Sequence, residues 1–429
     1  MQTHFTADQL ADPQIAEADA ILRNCVHCGF CTATCPTFVI TGDERDSPRG
    51  RIWMLREVLE SPETVSANTS YHIDRCLGCL SCTTTCPSGV DYPHLLDIGR
   101  AKLDKLVPRR FADKMMRRLL GMIIPYAGRF RMMIALARIG RLFSGAMPTA
   151  LRAALTKIPA ELKPFDRVGG HDAVFSPDKK PVKRVALLAG CAQRALDPEI
   201  NASTIRVLNR LGVEVVVRSE VHCCGALAHH IGETDRAHHT VRAAVLAWYD
   251  EMKSGGLDAI VVNASGCGTM VKDYGHMMKD DAELAGIAKA VSDKCVDISE
   301  LLDDLDIESI LQSAPAEGRC KVAYHSACSL QHGQKIHDLP LRLLRQAGFD
   351  VVQPLNGHLC CGSAGVYNIL QPEMADELKA RKLDSLDNTG AQFVAAGNIG
   401  CITQLNRKDL PVRHTVQFID WATGGPNPR

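Results

Sequence analysis

Sixteen of the eighteen cysteines in this chain fall into two kinds of pattern. Eight form two identical runs, Cys25, Cys28, Cys31, Cys35 and Cys76, Cys79, Cys82, Cys86, each C-x2-C-x2-C-x3-C and each followed by a proline, Pro36 or Pro87. Eight more form a longer repeat: Cys191, the pair Cys223 and Cys224, and Cys267, then Cys328, the pair Cys360 and Cys361, and Cys401. Gly225 and Gly362 follow the two pairs, and 31 residues lie between Cys191 and Cys223 as between Cys328 and Cys360. Only Cys295 and Cys320 stand outside a motif. Thiols in such numbers serve either as disulfides in an oxidising compartment or as metal ligands in a reducing one. Residues 1 to 24 carry Asp8, Asp12, Glu17 and Asp19 and no apolar core of signal-peptide type, so a cytoplasmic location and ligating thiolates are expected.

A cubane iron–sulfur cluster needs one thiolate on each of four irons. Three closely spaced cysteines supply three corners, and x3 followed by proline carries the fourth away. In two-cluster ferredoxins that fourth cysteine ligates the other cluster. This assigns Cys25, Cys28, Cys31 and Cys86 to one 4Fe-4S cluster and Cys76, Cys79, Cys82 and Cys35 to a second. Zinc is the competing occupant, but zinc modules offer two separated C-x2-C pairs rather than three even spacings and Cys-Pro, twice over. His27, inside the first run, is read as a neighbour of the cluster rather than a ligand. Arg49 and Arg51 either offset the clusters' negative charge or lie on a solvated face.

The elements that must position these thiols differ along the chain. RIWMLREVLE puts Ile52, Leu55 and Leu59 on one helical stripe, HLLDIGRAKLDKLV is a second helical stretch, and strand patterns are absent, so residues 1–108 are expected to form a mainly helical ferredoxin-like module. Beyond it, short apolar strands such as VALLAG, VEVVV and AIVVNASG alternate with helical stretches, and KVAYHSA, DVVQPL and FVAAGNIG repeat them. That alternation implies parallel sheets covered by helices, with sites at the carboxyl ends of the strands. The fold expected is therefore α+β and multidomain: the ferredoxin-like domain 1–108, a basic amphipathic helical connector 109–163, a linker 164–181, and two repeated α/β units at 182–311 and 320–423.

Composition narrows the functional classes. At 46% hydrophobic and 23% charged residues the chain is globular, and 429 residues suffice for about three domains. Forty-nine basic side chains balance forty-nine acidic ones, which gives no reason to expect nucleic acid as a partner. No uncharged apolar run approaches the ~18 residues of a spanning helix. Dinucleotide and phosphate-loop fingerprints are missing, as is any setting for a serine nucleophile, so no catalytic residue is assigned.

CVHCGFCTATCPTF, GDERDSPRGRI, CLGCLSCTTTCPSGVDYPHLLDIGR and the two Cys-Cys-Gly units resemble the iron–sulfur subunit of bacterial glycolate oxidase along nearly the whole chain. The resemblance implies an electron-transfer subunit of a 2-hydroxy-acid dehydrogenase complex. FAD would sit on partner subunits that oxidise glycolate to glyoxylate, and electrons would pass towards quinone or another respiratory acceptor at the cytoplasmic face of the inner membrane. The Cys-Cys-Gly (CCG) unit is shared more widely, which keeps open a subunit of a D-lactate or glycerol-3-phosphate dehydrogenase complex, a disulfide or quinone reductase in its own right, and a zinc-binding scaffold. In its fullest form the motif ends in C-x-x-C. Here Ala264 precedes Cys267 and Asn398 precedes Cys401 at the position of the first cysteine, so each copy lacks one thiol.

Cys191, Cys223, Cys224, Cys267, Cys328, Cys360, Cys361 and Cys401 thus make either a further cluster, metal or redox site, or inert strand-end packing. His222, His325 and His358 precede them closely and are read as core or surface histidines, or as auxiliary ligands and proton donors. Residues 100 to 152 hold 13 Lys or Arg against Asp104 and Asp113. Met115, Met116, Leu119, Leu120 and Ile123, then Met132, Met133, Leu136 and Ile139, recur there at helical spacing among those charges. Such a stretch either lies on an anionic membrane surface or packs on protein.

Overall fold

Prolines and capping side chains frame the helices of the first hundred residues. In the computed structural model, which describes residues 1–140, 163–164, 168–312 and 320–428, Asp12 caps the helix Pro13–Asn24 through the Gln14 amide, and Ser47 caps Pro48–Glu60 through the Gly50 amide. Proline opens both, where its missing N–H costs nothing. A third helix, Tyr92–Leu106, crosses the second so closely that a Cβ on Gly99 would sit 2.1 Å from Leu55 Cδ2. Ile15, Leu22, Ile52, Leu55, Leu59 and Leu95 are buried between the three. No strand occurs among the described residues before 173.

The second half is built from two sheets of the same design. The strands are β1 (Ala173–Phe175), β2 (Lys183–Leu187), β3 (Val213–Val217), β4 (Ala259–Val262) and β5 (Cys295–Asp297), then β6 (Lys321–His325), β7 (Asp350–Val352), β8 (Phe393–Ala396) and β9 (Val412–His414). The first sheet runs β1-β3-β2-β4-β5 and the second β7-β6-β8-β9. All pairs are parallel except β1 with β3, so apart from β1 the two orders are identical. β4 and β8 are buried throughout, as central strands covered on both faces must be. The order reverses between β2 and β4 and between β6 and β8, and these switch points open a crevice at the strands' carboxyl ends.

Two features depart from the sequence expectation. The segment 164–181 is not wholly a linker, because Ala173–Phe175 adds an antiparallel edge strand, Ala173 opposite Val217. β5 and β9, only three residues long, carry no sequence pattern of a strand. The units join through the helices Glu199–Arg210 and Thr415–Ala422, where Asp420, fully buried, accepts from Arg206 Nε at 3.0 Å and Arg210 Nη1 at 2.7 Å. Leu187, Val215, Val394 and Ile402 belong to one apolar core spanning both sheets.

The connector forms two helices, Phe111–Ile123 and Ala127–Gly140. Its remainder, 141–162, lies outside the described residues, as do 165–167 of the 164–181 segment and residues 313–319 between the units. Leu120 packs on Ile231 and Val366, whereas Phe111, Met115, Met116, Leu119, Met132, Leu136 and Ile139 are exposed. Not every arginine shares that face. Arg117 is buried in ion pairs with Asp74 (3.0 Å) and Asp113 (3.1 Å), and Arg131 donates to the Ala195 and Lys163 carbonyls. No helix among the described residues is long and apolar enough to cross a membrane.

Candidate metal centres and their surroundings

Both short cysteine runs take the same backbone path. His27 and Gly29 have φ of 58° and 86°, and their counterparts Gly78 and Leu80 have 60° and 61°. Each run spends one glycine on a left-handed position and strains a non-glycine at the other. Strain of this kind persists where the surroundings hold the loop for a purpose. At Gly29 a Cβ would also lie 2.6 Å from Arg49 Nη1, so the Arg49 guanidinium would have to move aside.

Cys25, Cys28, Cys31 and Cys86 line one concavity together with Cys82, so the last two cysteines of the second run reach the first three of the first. Cys35 acts electrostatically on Cys79 and Cys82 of the second run as well as on Cys31 of its own. Burial raises the Cys31 thiol to about 11, and burial and neighbouring sulfurs hold Cys79 and Cys82 well above the ordinary thiol range. Thiols so close and so dry cannot ionise together without a cation among them. The donor set and its loops therefore suit iron–sulfur ligation.

Arg51 is the main counter-charge, and it is buried at 1% exposure. Its guanidinium donates to the His72 carbonyl (2.9 Å), Thr37 Oγ1 (3.1 Å) and Cys35 Sγ (3.9 Å), and pairs with Asp46 at 3.4 Å. Asp46 in turn accepts from His72 Nδ1 (2.9 Å) and pairs with Arg75 (2.7 Å). Burial pushes the Cys76 thiol up, but Arg51, Arg100 and the Tyr92 hydroxyl, which donates to Cys76 Sγ at 3.5 Å, bring it below its usual value. Arg49 differs from Arg51, being partly exposed and paired with Glu44 at 2.7 Å. Of this network the sequence singled out only Arg51. Asp46, His72, Arg75 and Arg100 carry no local motif that would have marked them.

The longer repeat gathers its thiols at the two crevices. Cys191 precedes and Cys267 sits within helices that follow β2 and β4, just past the strand ends. Cys191 Sγ and Cys223 Sγ lie 3.7 Å apart in the first unit, and Cys328 Sγ and Cys360 Sγ 3.9 Å apart in the second. Gly225 and Gly362, with φ of 85° and 82°, turn their N–H groups back onto Cys223 Sγ and Cys360 Sγ, each at 3.4 Å. That is why glycine follows the pair. Of the three flagged histidines only His325 joins the sulfurs, its ring within 4.8 Å of Cys361 and Cys401. His222 stacks on Tyr126, and His358 offers its carbonyl to Gln331.

The short runs are not evenly placed. Cys28 is exposed, between Val26 at 69% and Phe30 at 62%. Cys79, by contrast, is packed with Cys328, Cys360 and Tyr367 of the second unit.

Residues 21–90 match the family described as 4Fe-4S dicluster domain, and residues 185–272 and 322–406 match the cysteine-rich domain. The chain is 40% identical over 423 residues to the glycolate oxidase iron-sulfur subunit of Escherichia coli, covering 98% of this chain and 99% of that one. It is 30% identical to the probable glycolate oxidase iron-sulfur subunit of Bacillus subtilis, over 90% and 88% of the two chains. Lactate utilization protein A of Anoxybacillus flavithermus is 26% identical over 53% of this chain and 94% of its own length.

Proposed function

The chain belongs to the family of glycolate oxidase iron–sulfur subunits, and on that premise we propose that it conducts electrons from a partner FAD subunit, which oxidises glycolate to glyoxylate, towards the quinone pool. The observation that carries this is the pairing of two conformationally matched cysteine loops across one small domain. In this reading Cys25, Cys28, Cys31 and Cys86 hold one cluster, and Cys76, Cys79, Cys82 and Cys35 hold the other. When bound, such clusters take up and give back single electrons, which a flavin can supply one at a time.

The chain's own residues set direction and environment. Exposed Cys28, flanked by Val26 and Phe30, offers the edge at which the flavoprotein docks. Arg51 and Arg100 favour the thiolate at Cys76 and offset negative charge in a dry interior. The division of labour follows the segments 1–108, 182–311 and 320–423, the conducting clusters lying in the first. Glycolate is favoured over D-lactate because the likeness to glycolate oxidase subunits runs along nearly the whole chain and that to lactate utilization protein A along about half.

Peripheral contact with the cytoplasmic face of the inner membrane is assigned to the exposed apolar residues 111–139 with Lys114, Arg118, Arg129 and Arg138. Anionic lipid attracts roughly 1 kcal/mol per basic residue at its surface. Changing Arg118, Arg129 and Arg138 to Gln should reduce cosedimentation with anionic vesicles, and unchanged, salt-insensitive sedimentation would contradict it.

The whole reading is tested by anaerobic copurification with the flavoprotein. Cys28→Ser should abolish glycolate-driven quinone reduction while dye reduction by the flavoprotein persists. Full quinone reduction by that variant would overturn the assignment.

A further inference from the structure

The two cysteine-rich units share a fold but not a donor set. His325 ends β6, the strand between β7 and β8. Cys361 follows β7, and Cys401 lies in the helix Ile399–Leu405 that follows β8. Three adjacent strands thus deliver one imidazole and two thiols to the same crevice, their donor atoms all within 4.8 Å of one another and all three residues buried. His325 is 1% exposed, and neither ring nitrogen has a hydrogen-bond partner. A buried imidazole without partners is costly unless something else occupies its lone pair.

The first unit offers no such group. Counting back three residues from Cys191, as from Cys328 to His325, gives Leu188, which is buried in the apolar core. In the second unit, moreover, Lys382 is 3% exposed, and its ammonium acts on Cys360, Cys361, Cys401 and Cys328 while donating to the Asn356 carbonyl at 3.1 Å. Asn398, at the position of the missing thiol, donates to Cys401 Sγ at 3.8 Å. Both groups favour thiolates.

We propose that the second unit binds a single divalent ion of the zinc class through His325, Cys361 and Cys401, with the fourth position taken by a thiol of the Cys328–Cys360 pair. His325 stands in for the thiol that Asn398 replaces. Spacing argues for one ion rather than a cubane: zinc–sulfur bonds of about 2.3 Å at tetrahedral angles put donor atoms about 3.8 Å apart, and the His325, Cys361 and Cys401 donor atoms all lie within 4.8 Å of one another. Cubane ligands each bind a different iron and spread wider. Three thiolates and one imidazole on a divalent ion leave a net charge of −1, which Lys382 balances.

Metal analysis of the anaerobically purified full chain tests this. The expected content is about one zinc per chain beside the iron of the ferredoxin-like domain. The substitution His325→Leu, which gives the second unit the residue of the first, should lose the zinc and leave the iron content and cluster EPR unchanged. His325→Cys should restore it, and cobalt in its place should show tetrahedral d–d bands with thiolate charge transfer that weaken in Cys401→Ser. Zinc absent from the native chain, zinc retained in His325→Leu, or extra iron lost with Cys361→Ser would each overturn the proposal. None of these results bears on glycolate-driven reduction of the ferredoxin-like domain, so the function proposed above stands or falls separately.

Discussion

Thr84, in the second short cysteine run, and His332, in the second cysteine-rich unit, meet at 2.7 Å across 248 residues of sequence. Close by, the Tyr367 hydroxyl donates to the Arg75 carbonyl at 3.0 Å. These contacts dock the second unit, not the first, against the loop that carries Cys79. A side-chain hydrogen bond of this kind contributes about 1 kcal/mol. Thr84→Val should therefore raise deuterium uptake in 81–85 and 329–333 and leave the 213–224 region as it was. Equal uptake in variant and native chain would count against this docking.

Arg51 donates to Cys35 and pairs with Asp46 in a site closed to water. Hydrogen bonds to ligating sulfur and nearby positive charge raise a cluster's potential. Arg51→Met should lower the midpoint potential of one cluster and leave the other near its native value in a potentiometric EPR titration. Stability should fall by about 3 kcal/mol, because Asp46 keeps His72 and Arg75 but loses one of its cations. Two unshifted potentials would remove Arg51 from the electronic account.

Cys86 lies in the second run but lines the concavity of the first. Cys86→Ser should consequently disturb the same EPR signal as Cys28→Ser, while Cys35→Ser disturbs the signal lost with Cys79→Ser. Paired losses following the runs instead, Cys86 with Cys79, would show that the ligands do not cross.

His94 holds the ferredoxin-like domain to the first cysteine-rich unit, donating to Asp91 at 2.7 Å and to Asp273 at 3.1 Å. Burial works against its charge, but Asp273 and Asp91 outweigh it and raise the pKa from 6.5 to about 10. A raised pKa means that this stabilisation is fully present below pH ~6.5 and is lost as pH climbs towards about 10. The melting temperature of the native chain should drop more between pH 6 and pH 9.5 than that of His94→Gln. Parallel drops would contradict the pairing.

Much of the fold was legible because its signals are local. VEVVV, KVAYH and FVAA are apolar runs of strand length, and the helical stripe Ile52, Leu55, Leu59 is buried as its period requires. The strand β1 is not legible because three residues between turns carry no period, and only Val215, Val216 and Val217 across from them make them a strand. In the candidate site, spacing marked the thiols but not what surrounds them. Asp46, Arg100 and Lys382 reach the sulfurs by tertiary packing alone. Arg117 and Arg131 read as part of a basic face, yet Asp74 and the Ala195 carbonyl turn them inward. His325 was flagged only by nearness in sequence, and the folded chain distinguishes it from His222 and His358.

The central claim, conduction from a flavoprotein through the ferredoxin-like domain, is tested most directly by anaerobic rapid-freeze EPR after mixing glycolate with the reconstituted complex. Signals of reduced 4Fe-4S clusters should appear within turnover time when the flavoprotein is present and not when this chain is mixed with glycolate alone. Clusters that stay oxidised through flavoprotein turnover, or that glycolate reduces without it, would contradict the account.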